Sequence, residues 1–272
     1  MTILITGATG NVGRHLVQLL NAANRPVRAL TRDPDNAHLP AGVDVRAGDF
    51  TDFTSLEAAL EGVTALHLMT SFGPANATVP NSRDLVAAAV KAGVRRVTLL
   101  WNGFEGPVEA AVEDSELEYT HLRPGEFMSN ALSWAEMIRT EGVVREAYGE
   151  IGHSPVDVRD IAAVAALALT EDGHAGQAYT LTGPEVLTAP QQVELIAGAL
   201  GKDVRYEAED REGARIRMRA MGIEEDAIEY VLDWRANPPE FAQKVFSTVE
   251  DVTGRPARTF AVWARDHADS FR

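Results

Sequence analysis

The chain has 272 residues, no cysteine, and 40 acidic against 25 basic side chains for a net charge of -15. Disulfides, thiolate metal sites and cysteine nucleophiles are thereby excluded, and a field this negative repels polyanions, so neither nucleic acid nor a membrane surface is an expected partner. The length suits one large domain or a domain with a lobe; no apolar run is long enough to span a membrane, and a strand starting at residue 3 leaves no stretch for a leader, which points to the cytoplasm.

Ile3-Leu4-Ile5 reads as a short strand, Gly7-Ala8-Thr9-Gly10-Asn11-Val12-Gly13 as a turn, and residues 11–23 as a helix. Val12, Leu16, Leu19, Leu20 and Ala23 fall on one stripe of that helix. Strand, glycine-rich turn and helix in this order are what a dinucleotide pyrophosphate site needs. Glycine lets the main chain approach the diphosphate closely, and the helix presents free N–H groups and its positive dipole end to the anion.

Residues 26–31 form the second predicted strand, with Arg32 just beyond it. Folds that prefer NAD place an acid here, whereas an arginine suits the 2′-phosphate of NADP. NADP(H) is the expected cofactor, with NAD(H) still admitted because Asp33 stands alongside. A strand at 43–46 leads to Gly48-Asp49-Phe50, where Asp49 is placed to bond an adenine amine and Phe50 to cover the ring. Thr54-Ser55-Leu56-Glu57 has capping-box spacing for the next helix. Val63–Met69 is apolar on both faces, as buried parallel strands are, and Thr70 and Ser71 sit at its carboxyl end, where open parallel sheets bind ligands. His67 within it reads as a satisfied buried histidine.

A helix over 81–92 stopped by Gly93, a strand over 94–101, a helix over 108–114 and a strand over 117–122 complete the alternation. It predicts an α/β fold, a doubly wound parallel Rossmann sheet. Beyond Arg123-Pro124-Gly125 the alternation stops. Residues 1–127 are assigned to the dinucleotide-binding domain, 128–272 to a smaller, mainly helical C-terminal substrate lobe over the carboxyl edge of the sheet. Within the latter, 154–182 returns to the sheet domain with a helix over 156–169. In the lobe, 187–201 is a helix capped by Thr188 and Gln191, followed by helices over 211–221 and 224–235.

Four protic residues are candidates for chemistry: Asn102, Glu126, Tyr148 and His153. Asn102 either polarises a substrate oxygen or shapes its turn. Glu126 is either an acid of raised pKa or a salt-bridge partner of Arg123. Tyr148 either donates its hydroxyl or packs at the lobe hinge, and His153, before Ser154-Pro155, reads as a solvated loop histidine. Trp134, Met137, Met218, Met221 and Trp234 form either an apolar substrate wall or lobe core. The run Arg211, Arg215, Arg217, Arg219 faces solvent or pairs with the acidic helix that follows. No metal site is expected.

Taken together, Thr6-Gly7-Ala8-Thr9-Gly10-Asn11-Val12-Gly13-Arg14, Arg28-Ala29-Leu30-Thr31-Arg32 and Gly48-Asp49 resemble the NmrA-like group of atypical short-chain dehydrogenases. His121 to Asn130, Val156 to Ala162 and Tyr179 to Gly183 extend the resemblance to about Gly201. It implies a Rossmann fold and either an NADPH-dependent reductase of quinones, dyes or phenolics, or a redox sensor that binds the dinucleotide without turnover. A redox-neutral enzyme of secondary metabolism on the same fold is a further alternative.

By resemblance, Gly7, Thr9, Gly10, Asn11 and Val12 line the pyrophosphate and Arg32 the adenosine phosphate. Met69 and Thr70 approach the nicotinamide ribose, while Gly125, Phe127 and Asn130 border the nicotinamide and the substrate cavity. The loop Trp101 to Gly106 is shorter than the family's. No tyrosine here has a lysine four residues later, so reduction by that proton-donating pair is not expected. The partner is therefore a small, flat, conjugated molecule, and homo-oligomerisation is allowed.

Overall fold

The computed structural model describes residues 1–73, 77–103 and 105–272. The first stretch is strand β1 (Thr2–Ile5), helix α1 (Asn11–Ala22), β2 (Val27–Thr31), β3 (Asp44–Ala47), α2 (Phe53–Leu60) and β4 (Val63–Met69). A two-residue antiparallel pair, β5 (Ser71–Phe72) with β6 (Ala77–Thr78), precedes α3 (Ser82–Ala92), β7 (Arg96–Leu100), α4 (Pro107–Glu113) and β8 (Glu118–Pro124). Then come a 3-10 stretch (Met128–Trp134), α5 (Ala135–Glu141), β9 (Val143–Ala147), α6 (Val158–Thr170) and β10 (Gln177–Leu181). The remainder is α7 (Ala189–Leu200), β11 (Arg205–Glu209), α8 (Arg211–Ala220), α9 (Glu225–Ala236), α10 (Thr248–Thr253) and α11 (Phe260–Asp266).

Seven strands form one sheet in the order β10-β8-β7-β4-β1-β2-β3. The pairs β1 with β2 and β4, β2 with β3, and β7 with β4 and β8 are all parallel. The chain starts at the middle of the sheet, winds to β3, then crosses back to β4 and outwards. This reversal beside β1 is the switch point at which doubly wound sheets bind ligands, at the carboxyl ends of the strands. Among the described residues no helix is long and apolar enough to cross a membrane.

The chain divides into two compact units, one of Met1–Pro124 with Val158–Thr180, the other of Gly125–Asp157 with Leu181–Arg272. In the first, α1 packs on α6, and a second core joins Leu66, Leu68, Leu85, Val97, Leu99 and Val112. Two local expectations need correction. Leu19 is 42% exposed, and Val17 takes its place in the buried face of α1 with Val12, Leu16 and Leu20, because that face centres on the 13-16-17-20 arc. The cap of α2 is Asp52, whose carboxylate accepts from the N–H groups of Thr54 and Ser55. An aspartate two residues ahead of Thr54 outcompetes the hydroxyl as an N-cap.

In the second unit, Thr188 and Gln191 form the expected reciprocal cap of α7. The sequence reading missed a parallel pair, β9 with β11, that sits among the helices. Trp134, Val144, Val193, Ile196, Phe260 and Trp263 share one core. Ala147, Ala214, Met218, Ile228 and Leu232 form a smaller one beneath α8 and α9.

His67 is fully buried on β4, with Nδ1 2.8 Å from the Thr98 hydroxyl and Nε2 without a partner. Burial pushes its pKa down to about 4. The folded state therefore binds this proton more weakly than the unfolded chain, whose histidine titrates near 6.5. The contribution to stability is fully present above pH ~6.5 and is lost as pH falls towards ~4, about 3 kcal/mol in all. Urea unfolding midpoints should fall across that window, and His67→Gln should flatten this part of the decline.

Candidate functional site

Backbone at the end of β1 sets the geometry of the site. Thr6 donates its N–H to the His67 carbonyl and its hydroxyl to the same oxygen, while accepting from the Met69 N–H at 3.0 Å. This staples the carboxyl ends of β1 and β4 together. Thr70 is tied in turn to the Leu100 carbonyl. Gly7 then turns with φ +60°, and the Gly10 N–H closes the loop onto the Gly7 carbonyl at 2.9 Å.

Helix α1 begins at once. Its N-cap, Gly10, contributes no side-chain cap, and its first turn holds no acid. The first N–H groups of a helix have no partners within it, so the turn offers them to an external anion. Gly13 is the tight point: a Cβ there would lie 2.2 Å from the Gly7 carbonyl oxygen. Thr9 is half-buried, with its carbonyl accepting from Arg14, whereas Asn11 is exposed and Val12 buried, so Val12 offers backbone only. A cradle of main-chain donors closed by absent side chains fits a diphosphate.

Arg32 is exposed at the end of β2 and makes no ion pair among the described residues. Asp33 is committed to its own turn, its carboxylate accepting from the Asn36 backbone and side-chain nitrogens. That leaves Arg32 as the group available to a ligand. Asp49 lies within electrostatic reach of it: bonds from Thr51 hold the Asp49 carboxyl low, and Arg32 adds to the effect. Phe50 is buried against Phe72, ring centroids 5.5 Å apart. Met69 packs its sulfur over Gly7. The predicted dinucleotide residues of the first unit thus stand at the carboxyl ends of β1, β2, β3 and β4.

Past β7, Asn102 is half-buried and Arg123 lies over the Trp101 ring, 5.8 Å from its centroid. Phe104, in the short loop here, lies outside the described residues. Arg123 pairs with Glu105 at 2.9 Å, which replaces the expected bridge to Glu126. Chain proximity favoured Glu126, but the two side chains leave an extended strand end on different residues of its alternation.

In the second unit, Gly125 donates to the Leu181 carbonyl and Glu126 accepts from the Val156 N–H, Phe127 bridges to Val156, and the Met128 N–H at the start of the 3-10 stretch donates to the Val156 carbonyl. Asn130 is exposed at the following 3-10 stretch. Trp134 is buried and donates its indole N–H to Glu146 at 2.7 Å. Met218 lies in the small core under α8 and α9, and Met221 is exposed. Tyr148 adopts φ +61°, packs on that same core, and takes a bond from Arg211. Arg211, Arg215 and Arg219 pair with Glu229, Glu225 and Asp233 of α9, as the charge pattern suggested.

His153 departs most from expectation. It is not a solvated loop residue but is buried, bridged to Leu187 by two backbone bonds and stacked on Trp234 at 5.0 Å. Its Nδ1 is sealed without a partner. Burial pushes its pKa down, with the Glu126 charge opposing. The same carboxylate acts on the partly buried Arg235. No local signal marks His153, because the segment that bridges to it comes from 34 residues further on. Among the described residues no group of three or more His, Asp or Glu is arranged to hold a metal ion.

Comparison with known proteins places the chain among reductases. A (4-alkanoyl-5-oxo-2,5-dihydrofuran-3-yl)methyl phosphate reductase of Streptomyces griseus is 40% identical over 283 residues, covering 99% of both chains. An NAD(P)H azoreductase of Xenophilus azovorans is 38% identical over 284 residues, again covering 99% of both. The crystal structure of an NADPH-dependent quinone oxidoreductase from Escherichia coli, complexed with NADPH, superposes with a TM-score of 0.80 at 26% identity, covering 97% of this chain and 99% of that one. The sequence pattern of the NmrA-like family matches residues 1–223, and the chain belongs to that family.

Proposed function

We propose that this NAD(P)H-dependent reductase prefers NADP(H) and reduces a small conjugated molecule, such as a quinone, without a tyrosine–lysine donor pair. The observation that carries this reading is the uncapped glycine cradle at α1 with the unpaired Arg32 across from Asp49. The cofactor supplies a hydride when bound. The chain's own part is to hold the diphosphate on the α1 amides and select the extra phosphate with Arg32.

The relatives at 38–40% identity are named for an azo compound and for a furanone whose ring double bond is conjugated to carbonyl groups. Both names describe electron-poor conjugated acceptors, as a quinone is. Such acceptors become stabilised anions on reduction and take their proton from water, so a dedicated acid is optional. All three lysines, Lys91, Lys202 and Lys244, are exposed, which agrees with chemistry that does not use one.

The purified protein should consume NADPH, followed by its near-ultraviolet absorbance, in the presence of a quinone panel. A flat trace across all acceptors would favour a sensor that binds without turnover. Arg32→Asp should weaken NADPH by about tenfold to a hundredfold while sparing NADH, since a charge-assisted contact contributes about 1.5–3 kcal/mol. Equal losses for the two nucleotides by calorimetry would refute the role of Arg32.

A further inference from the structure

Arg14, near the start of α1, breaks the usual charge rule for a helix. Helix side chains lean towards the amino end, and this one follows: its guanidinium reaches back to donate to the Thr9 carbonyl at 3.2 Å. A permanent cation is thereby held at the positive end of the helix dipole, where an anion stabilises and a cation does not. No acid offsets it. The first turn of α1 has none, and Arg14 makes no ion pair among the described residues, although the chain carries 40 acidic side chains against 25 basic ones. Other half-buried arginines, Arg28, Arg96 and Arg145, each hold a carboxylate.

The place of this cation is specific. Thr9 belongs to the turn that the Gly10 N–H closes onto Gly7, so the guanidinium lies against the loop that leads into the uncapped amides of α1. One N–H donor is used on Thr9 and anchors the head; an arginine has several more. A local charge rule broken without a local compensation is what a binding site does to a fold.

We propose that Arg14 is the counter-charge to the dinucleotide diphosphate, acting on NADPH and NADH alike, while Arg32 reads only the additional phosphate of NADPH; this assignment rests on the cofactor reading above. The α1 amides supply partial charges, and Arg14 adds a whole one beside them. The addition matters here because a chain of net charge -15 repels an anionic ligand at long range.

The test is calorimetric titration of the full chain with NADPH and with NADH, together with urea unfolding without nucleotide. Arg14→Gln keeps a donor for the Thr9 carbonyl and removes the charge, whereas Arg14→Lys keeps the charge. Arg14→Gln should raise the Kd of both nucleotides by the same factor, about tenfold to a hundredfold, and Arg14→Lys should recover most of the loss. Added salt should weaken binding less in Arg14→Gln than in wild type. Without nucleotide, the Arg14→Gln midpoint should equal or exceed that of wild type, since a cation has left the positive end of α1. A residue that merely braced the loop would lower that midpoint instead.

An Arg14→Gln chain that binds both nucleotides within about twofold of wild type would overturn the assignment, since that change is smaller than one charge-assisted contact provides. So would a loss confined to NADPH, or one that lysine does not recover. Wild-type protein that takes up neither nucleotide would overturn the cofactor reading itself, and this assignment with it.

Discussion

Gly13→Ala should disable the cradle with a single methyl group. The added Cβ would sit 2.2 Å from the Gly7 oxygen, 2.8 Å from the Gly7 carbonyl carbon and 3.0 Å from the Ala8 Cα. All three are backbone atoms, so no side chain can rotate away. Either α1 slides outward from β1 or the Gly7–Gly10 loop opens, and both moves pull the amides from their common focus. Overpacking of this kind costs about 1–3 kcal/mol of stability. Cofactor affinity should fall further, by about a hundredfold, since displacement weakens several charge-assisted contacts together. Gly198→Ala is the control. Gly198 lies within α7 with open space around its Cβ direction, so alanine there should stabilise by about 1 kcal/mol and leave nucleotide binding alone. Calorimetry and urea unfolding on the two variants check both halves. A Gly13→Ala chain that binds NADPH as wild type does would show that the close approach of α1 to the loop is dispensable.

How much of this was legible in the chain follows from how local each signal is. The strand–turn–helix at the amino terminus is written in consecutive residues: three apolar positions, three glycines and a helical stripe. The alternation through β8 is also local, and its elements fall within a few residues of their expected limits. Arg32 was visible for the same reason, since it directly follows a recognisable strand. The second unit is different. Val143–Ala147 and Arg205–Glu209 pair in parallel across some sixty residues. Both contain Glu, Arg and Ala, which favour helix in isolation, and pairing overrides that preference. His153 was misread for the same cause, because its burial depends on Leu187 and Trp234, distant in the chain. Arg123 shows the limit at short range: its nearest acid in sequence was not its partner. Charges choose partners by side-chain direction, which a sequence gives only where the alternation is regular.

The ion pair at the centre of the second unit should show the opposite sensitivity to that of the cradle, large to one substitution and small to two. Glu146 is buried on β9, where it accepts the Trp134 indole N–H and lies in contact with the Arg235 guanidinium. Arg217 is 3.8 Å away and is itself held by Glu209 at 2.9 Å. Burial pushes the Arg235 pKa down, a sign that its charge is poorly solvated. Glu146→Ala strands that charge and orphans the indole N–H, for a loss of about 3–5 kcal/mol. Glu146→Met with Arg235→Met removes both charges and keeps the volume, so most of the loss should return. The urea midpoint of tryptophan fluorescence, with Trp134 bonded to Glu146, reads the difference directly. If the double substitution were as unstable as the single one, the two charges would not be acting on each other. The stabilising element would then be the hydrogen bond to Trp134 alone, and Glu146→Gln, which keeps an acceptor for that N–H, should fold almost as well as wild type.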